Sequence, residues 1–309
     1  MITTQNPVSA APRPSVWRQV WAGVTHPAGL TFLVCWLAGV ATLVLRGYGG
    51  MARELVNTLL VFYGIPVLIV LRLIPHPPEP DVPARSRAAL WWQVGFLIAI
   101  LALTVAHAMP VFGVVPAGRA QIPLWTQVNL ALEQVGERLF GARRAVANPV
   151  LNVLLPGAVL LLWGARPGEL GLRKGYRSLA ASTPHLILLG FMLIGAASSS
   201  GASLSVFLMR ALRNFLANGF TEEFLFRGAL QTRLSQLMGE GWGLVLASLL
   251  FGAVHIAAVV PALGGDWLAA VALCMTSQAA GGLLLGIMFL RTLSLIAPTV
   301  AHVTLNLFG

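Results

Sequence analysis

The sequence predicts an all-α fold: a polytopic bundle of transmembrane helices with roughly eight to nine spans and one amphipathic surface helix. Three observations carry this. Of 309 residues, 57% are hydrophobic and only 10% charged, against about 25% charged in soluble domains. Mean hydropathy is +0.80. Uncharged runs recur that are long enough to cross a hydrocarbon core, which takes roughly 20 apolar residues as helix.

Taken in order, residues 1–27 are polar and contain prolines. They read as a tail before the first span and not as a signal peptide, because the apolar run that follows is too long and lacks a small-residue cleavage site. Spans are expected at 28–45, 55–71, 88–106, 145–165, 183–197, 202–233, 242–260, 267–290 and 292–308. Between the third and fourth, Leu124, Val128, Ala131, Leu132, Val135 and Leu139 recur at helical spacing, which predicts an amphipathic helix near 124–144 lying on the membrane or capping the bundle. The stretches PHPPEPDVPARSR and RPGELGLRKG are connectors, the first because serial prolines cannot continue a helix. The chain thus divides into a tail (1–27), an N-terminal set of spans (28–178) and a C-terminal set (179–309) whose few ionisable groups fall inside helices.

A net charge of +10 does not point to nucleic acid, since the arginines are scattered through loops instead of forming a stripe. Placing Arg13 and Arg18 in the cytoplasm also places Arg72, Arg85, Arg87, Arg166, Arg173, Lys174, Arg177, Arg233 and Arg291 there, while the loops around 198–201 and 261–266 hold no Lys or Arg. The long 110–148 loop, with four arginines, is the exception. The predicted location is the cytoplasmic membrane of a bacterium, N-terminus inside, with 19 Arg against one Lys as the compositional hint of a GC-rich genome. Cys35 and Cys274 fall inside spans and read as small hydrophobes.

An ionisable group inside a bilayer is expensive and needs a partner or a function. The C-terminal set has Glu222, Glu223, Arg227, His255 and His302, joined by the uncharged Asn306. On an α-helix Glu223 and Arg227 lie within roughly 40° of each other, whereas Glu222 and Arg227 diverge by roughly 140°. Glu223 therefore takes the arginine and acts as a support, leaving Glu222 unpaired on its own helix as a candidate general base. Phe251 packs one turn under His255, and His302 and Asn306 share a face. A rise of about 1.5 Å per residue puts Glu222 roughly 16 Å, His255 roughly 20 Å and His302 roughly 16 Å from the cytoplasmic helix ends, so three helices deliver polar groups to one level.

Other features read as structural. His107 and His185 are expected to bond helix to helix, and Gly282 and Gly286 have the spacing that lets helices approach closely. Pro298 is expected to kink the last span beside His302, and Asn218-Gly219 to loosen the helix before Glu222.

EEFLFR, FGAVH and HVTLN, in this order, resemble the EExxxR, FxxxH and HxxxN motifs of the CPBP family, which comprises CAAX prenyl endopeptidases and bacteriocin-processing or immunity (ABI) proteins. The resemblance covers about residues 182–309. It implies a glutamate-type intramembrane endopeptidase acting on a membrane-associated peptide or protein. Glu222 with His255 would activate water, His302 with Asn306 would bind the oxyanion, and Glu223 and Arg227 would be supports. Water would enter from the cytoplasm. No cofactor is required on this reading. A divalent metal such as zinc, held by Glu222, His255 and His302, is the alternative, disfavoured because HExxH is absent, no cysteine is near and Asn306 suits an oxyanion better than zinc. Rival functions are a non-catalytic scaffold or immunity protein of the same family and a proton-coupled transporter, the latter opposed by the lack of an inverted repeat.

Overall fold

A computed structural model describes residues 14–78, 83–116, 119, 122–199 and 204–307, with backbone only at 196–199. The expected tail residues up to Arg13, the centre of the proline-rich connector and the end of the 198–201 loop lie outside the described residues.

Eleven helices and no strand are found among the described residues. They are α1 (Val16–Thr25), α2 (Pro27–Leu45), α3 (Gly49–Leu73), α4 (Arg87–Val111), α5 (Pro123–Phe140), α6 (Arg144–Leu162), α7 (Ser178–Ser199), α8 (204–238), α9 (Glu240–Val259), α10 (Trp267–Thr292) and α11 (Ile296–Asn306). Sequence signals set the ends. Ser86 accepts from the Ala89 amide at 3.2 Å to cap α4, and Asp266 accepts from Ala269 at 3.0 Å to cap α10. Gly141, at φ 59°, ends α5 in the left-handed conformation that glycine adopts without strain.

Seven of these helices are long and apolar enough to cross a membrane: α2, α3, α4, α6, α7, α9 and α10. The other two expected spans, 202–233 and 292–308, do form helices, α8 and α11, but fall outside that description. Helix α8 carries Arg210, Arg213, Glu222, Glu223, Arg227 and Arg233, and α11 is only 11 residues long. Of the α8 charges, Glu223, Arg227 and Arg233 are buried in protein, whereas Arg210 is exposed. Phe224, Leu225, Phe226, Ala229 and Leu230 of α8 share one core with Leu90, Val94, Leu97 and Leu101 of α4, Leu160 of α6, and Ala247 and Phe251 of α9. Both sets of spans therefore contribute to the packing under the motif residues.

Four helices contain π-helical turns, including 59–64 in α3 and both 215–219 and 224–231 in α8. A π-turn bonds i to i+5 and is wider than an α-turn, which often marks a functional segment. The expected loosening at Asn218-Gly219 takes this form. Gly219 is also a close-approach site, since a Cβ there would stand 2.5 Å from the Val303 side chain of α11. Gly286 does the same for α10, where a Cβ would stand 2.4 Å from Leu244. Pro298 does not kink α11. It is the third residue of that helix, in the first turn, where a missing amide hydrogen costs nothing.

Helix α5 is built the opposite way round from a soluble amphipathic helix. Its buried residues are Asn129, Glu133 and Gly136, while Leu124, Val128, Val135 and Leu139 of the predicted apolar stripe are exposed. Glu133 fastens it to the bundle through His107 of α4 at 3.0 Å and Arg143 at 2.6 Å. The expected helix-to-helix role of His107 is this contact. Both cysteines are free, Cys274 buried and Cys35 only partly so.

Candidate active site

Three helices bring three side chains to one point. Glu222 Oε2 of α8 lies 3.8 Å from His255 Nε2 of α9 and 3.8 Å from His302 Nε2 of α11. The matched depths read from the sequence correspond to this meeting. The separations exceed a direct hydrogen bond.

Both imidazoles are oriented through their other nitrogen. His255 ends the first, regular section of α9, and its Nδ1 is 2.7 Å from the Phe251 carbonyl one turn earlier. A carbonyl only accepts, so Nδ1 carries the proton and Nε2 turns to Glu222. His302 Nδ1 is 2.7 Å from Glu223 Oε1, and its Nε2 likewise faces Glu222.

The adjacent carboxylates occupy different surroundings. The Glu222 side chain is 21% exposed and that of His255 28%, whereas Glu223 is 0% exposed. Glu223 Oε2 lies 3.1 Å from Arg227 Nε, the i,i+4 pairing that the sequence predicts. Arg227 is buried too. Its Nη2 donates to the Gly282 carbonyl at 3.0 Å, and its Cζ lies 4.5 Å from the centre of the Phe251 ring. The same ring packs against His255 and His302 at centroid distances of 4.8 and 6.0 Å. Gly282 leaves room for this approach, since a Cβ would stand 3.1 Å from Phe251 Cδ1 and press on the ring. A sealed ion pair thus cancels Glu223 against Arg227, and Glu222 is left as the reachable carboxylate.

Asn306 is placed differently from its motif partners. It is exposed at the end of α11, one turn past His302, and its Nδ2 donates to Asn214 Oδ1 of α8 at 3.3 Å. Sequence reasoning did not foresee Asn214, the Glu223 bond to His302, or Tyr63. Tyr63, in the π-turn of α3, is half-buried and near enough to Glu223 and Arg227 to feel both charges, and a Cβ at Gly281 would lie 3.5 Å from its hydroxyl. Its only signal was a lone phenol within an apolar span.

The cluster opens toward one end of the bundle. Below it, Phe226, Arg227 and Phe251 about one turn away and Gln231 about two turns away are buried. Above it Asn214 and Asn218 are half-buried and Asn306 is exposed. That upper end also holds the turn after α5, since a Cβ at Gly141 would meet the Arg213 guanidinium at 2.9 Å. The N-terminal helix lies at the lower end, where Gln19 of α1 accepts from Arg291 at the end of α10 at 2.5 Å. Gln19 and the exposed Asn306 thus lie toward opposite ends of the bundle.

Two ligands of one tetrahedral zinc stand roughly 3.3 Å apart, given bonds of about 2.0 Å. Glu222 is 3.8 Å from each imidazole, and among the described residues no group of three His, Cys, Asp or Glu side chains is arranged to hold a metal ion.

Fold and site together define an integral membrane protein with a polar, protein-enclosed site on its C-terminal helices. Residues 204–308, which hold all three motifs, match the family model described as Rce1-like, type II CAAX prenyl endopeptidase Rce1-like, a peptidase family. This is the recognition that the motifs carry, within the CPBP family. No curated protein matches the chain, and no solved structure matches it.

Proposed function

We propose that the chain is a glutamate-type intramembrane endopeptidase that hydrolyses a peptide bond in a membrane-associated protein or peptide. The observation that carries this reading is the placement of Glu222 Oε2 at 3.8 Å from each of two imidazole Nε2 atoms, while its neighbour Glu223 is engaged elsewhere. Water held between them loses a proton to Glu222, with His255 Nε2 accepting a hydrogen bond from that water and orienting it. The oxygen attacks the scissile carbonyl carbon. His302, protonated at both nitrogens beside Glu223, donates through Nε2 to the developing oxyanion. Asn306 adds a second donor if its amide leaves Asn214. Collapse of the tetrahedral adduct breaks the C–N bond, and the proton on Glu222 passes to the departing amine.

Glu223, Arg227 and Phe251 position this apparatus and do not touch the reacting atoms. Substrate enters from the end marked by Asn214, Asn306 and the turn after α5, which supports placing that end on the substrate's side of the membrane.

The test compares membrane peptidomes of cells carrying the wild type and Glu222→Gln. A juxtamembrane or terminal cleavage product present only with the wild type supports the reading. Identical peptidomes alongside a phenotype that Glu222→Gln preserves would establish the scaffold role instead.

A further inference from the structure

At the lower end of the bundle, away from the motif residues, a cavity of about 590 Å³ lies between the start of α1 and the end of α3. Ser15, Trp17, Gln19, Arg72, His76 and Arg291 contribute its polar lining and its aromatic wall. No acidic residue among the described residues lines it.

The cations in it are poorly neutralised. Arg291 donates to two uncharged acceptors, Gln19 Oε1 at 2.5 Å and the Ile74 carbonyl at 3.5 Å. Arg72, exposed in the last turn of α3, has no hydrogen bond or ion pair among the described residues. Among the described residues the one nearby carboxylate, Glu240, is close enough to act on Arg291 and stands 3.9 Å from His76, outside the lining, with both side chains of that pair more than half exposed. The thirteen residues before Pro14 contain no Asp or Glu, and the acidic residues next to the lining in sequence, Glu79 and Asp81, lie outside the described residues.

The cavity also sits at headgroup level. Helix α1 has Trp17 and Trp21 73% and 70% exposed, and it leads directly into the span α2. Exposed tryptophans flanking a span belong in the interfacial layer. Two guanidinium groups there face the region where lipid phosphates lie, and planar guanidinium suits phosphate oxygens.

We propose that this cavity binds the phosphate of an anionic phospholipid headgroup, with Arg72 and Arg291 as its ligands and Trp17 against the glycerol region. A free phosphate ion offers the same oxygens, so the experiment must separate the two sources.

The full chain is purified in detergent with equimolar phosphatidylglycerol and phosphatidylcholine, and the retained lipids are counted by native mass spectrometry. Phosphatidylglycerol should be retained several-fold over phosphatidylcholine. Arg72→Gln should reduce that preference about fivefold, as expected for one interfacial arginine. Arg291→Gln should act similarly, with Arg291→Lys recovering part of it. Millimolar inorganic phosphate should displace none of the lipid. Equal retention of the two lipids, or a preference unchanged in Arg72→Gln, overturns the proposal. Displacement by inorganic phosphate overturns the lipid assignment in favour of a free-anion site. Arg72 is exposed and has no partner to lose among the described residues, so its variant should keep the fold, which an unchanged thermal transition checks.

Discussion

Glu223 accepts a hydrogen bond from His302 Nδ1 at 2.7 Å across 79 residues of chain, while Glu222, its immediate neighbour, faces Nε2 of the same ring at 3.8 Å. One imidazole is thus gripped on one side by a sealed carboxylate and offered on the other to a reachable one.

The two glutamates should separate by variant. Glu222→Gln removes the base and should lower cleavage about a thousandfold or more with little change in thermal stability. Glu223→Gln leaves Arg227 buried without its counter-charge and should cost about 3 kcal/mol of stability, read as an earlier thermal transition in detergent. Equal stability loss in both variants would contradict the division of roles.

Chelation gives a second check. With 1,10-phenanthroline or EDTA, proteolysis should continue at its original rate, and added zinc should not raise it. Loss on chelation with recovery on zinc would mean that the side chains close by several tenths of an ångström around a metal.

At the lower end of the bundle Arg85 binds Glu169 through both oxygens, at 2.6 and 2.9 Å, and Glu169 also accepts from the Arg166 amide at 3.1 Å. Burial pushes this carboxyl's pKa upward, but the Arg85 bonds and charge together with the amide outweigh it and hold the group below its ordinary 4.5. A depressed folded pKa gives stability that is complete above the unfolded value and lost as pH falls through the folded one. Arg85→Ala should therefore cost about 3 kcal/mol near neutrality. The gap to wild type, followed by thermal unfolding, should narrow below about pH 4.

The two ends of the bundle should label from opposite sides of the membrane. In a chain lacking Cys35 and Cys274, single cysteines replacing Trp17 and Glu137 should react with an impermeant maleimide in oppositely oriented vesicles. Cleavage of an added peptide should occur in the vesicles where position 137 reacts. Labelling of both positions from one side would remove the site's inferred mouth.

Much of the site is legible in the sequence because charge inside an apolar span stands out against everything around it. Glu222, Glu223, Arg227, His255 and His302 are visible for that reason, and the i,i+4 spacing already pairs Glu223 with Arg227. Residues that support the site from the N-terminal spans are not visible in this way. Tyr63 and Gln93 are single polar groups in apolar runs, and only the folded chain brings Tyr63 to the Glu223–Arg227 pair and Gln93 to within 3.2 Å of Arg233 Nε. Periodicity locates a helix without its local pitch, so the π-turns at 215–219 and 224–231 go unseen. Periodicity also gives the stripe on α5 without saying which face meets protein.

The inside-out helix α5 has a mechanical consequence. Its polar edge is tied to the bundle by Glu133, and its greasy edge is satisfied only among the acyl chains nearest one surface. Lying so, α5 would add area to one leaflet only, giving the molecule a wedge-like footprint. Strongly bowed membrane relieves that imbalance, so partition into small vesicles should exceed partition into large ones of identical lipid.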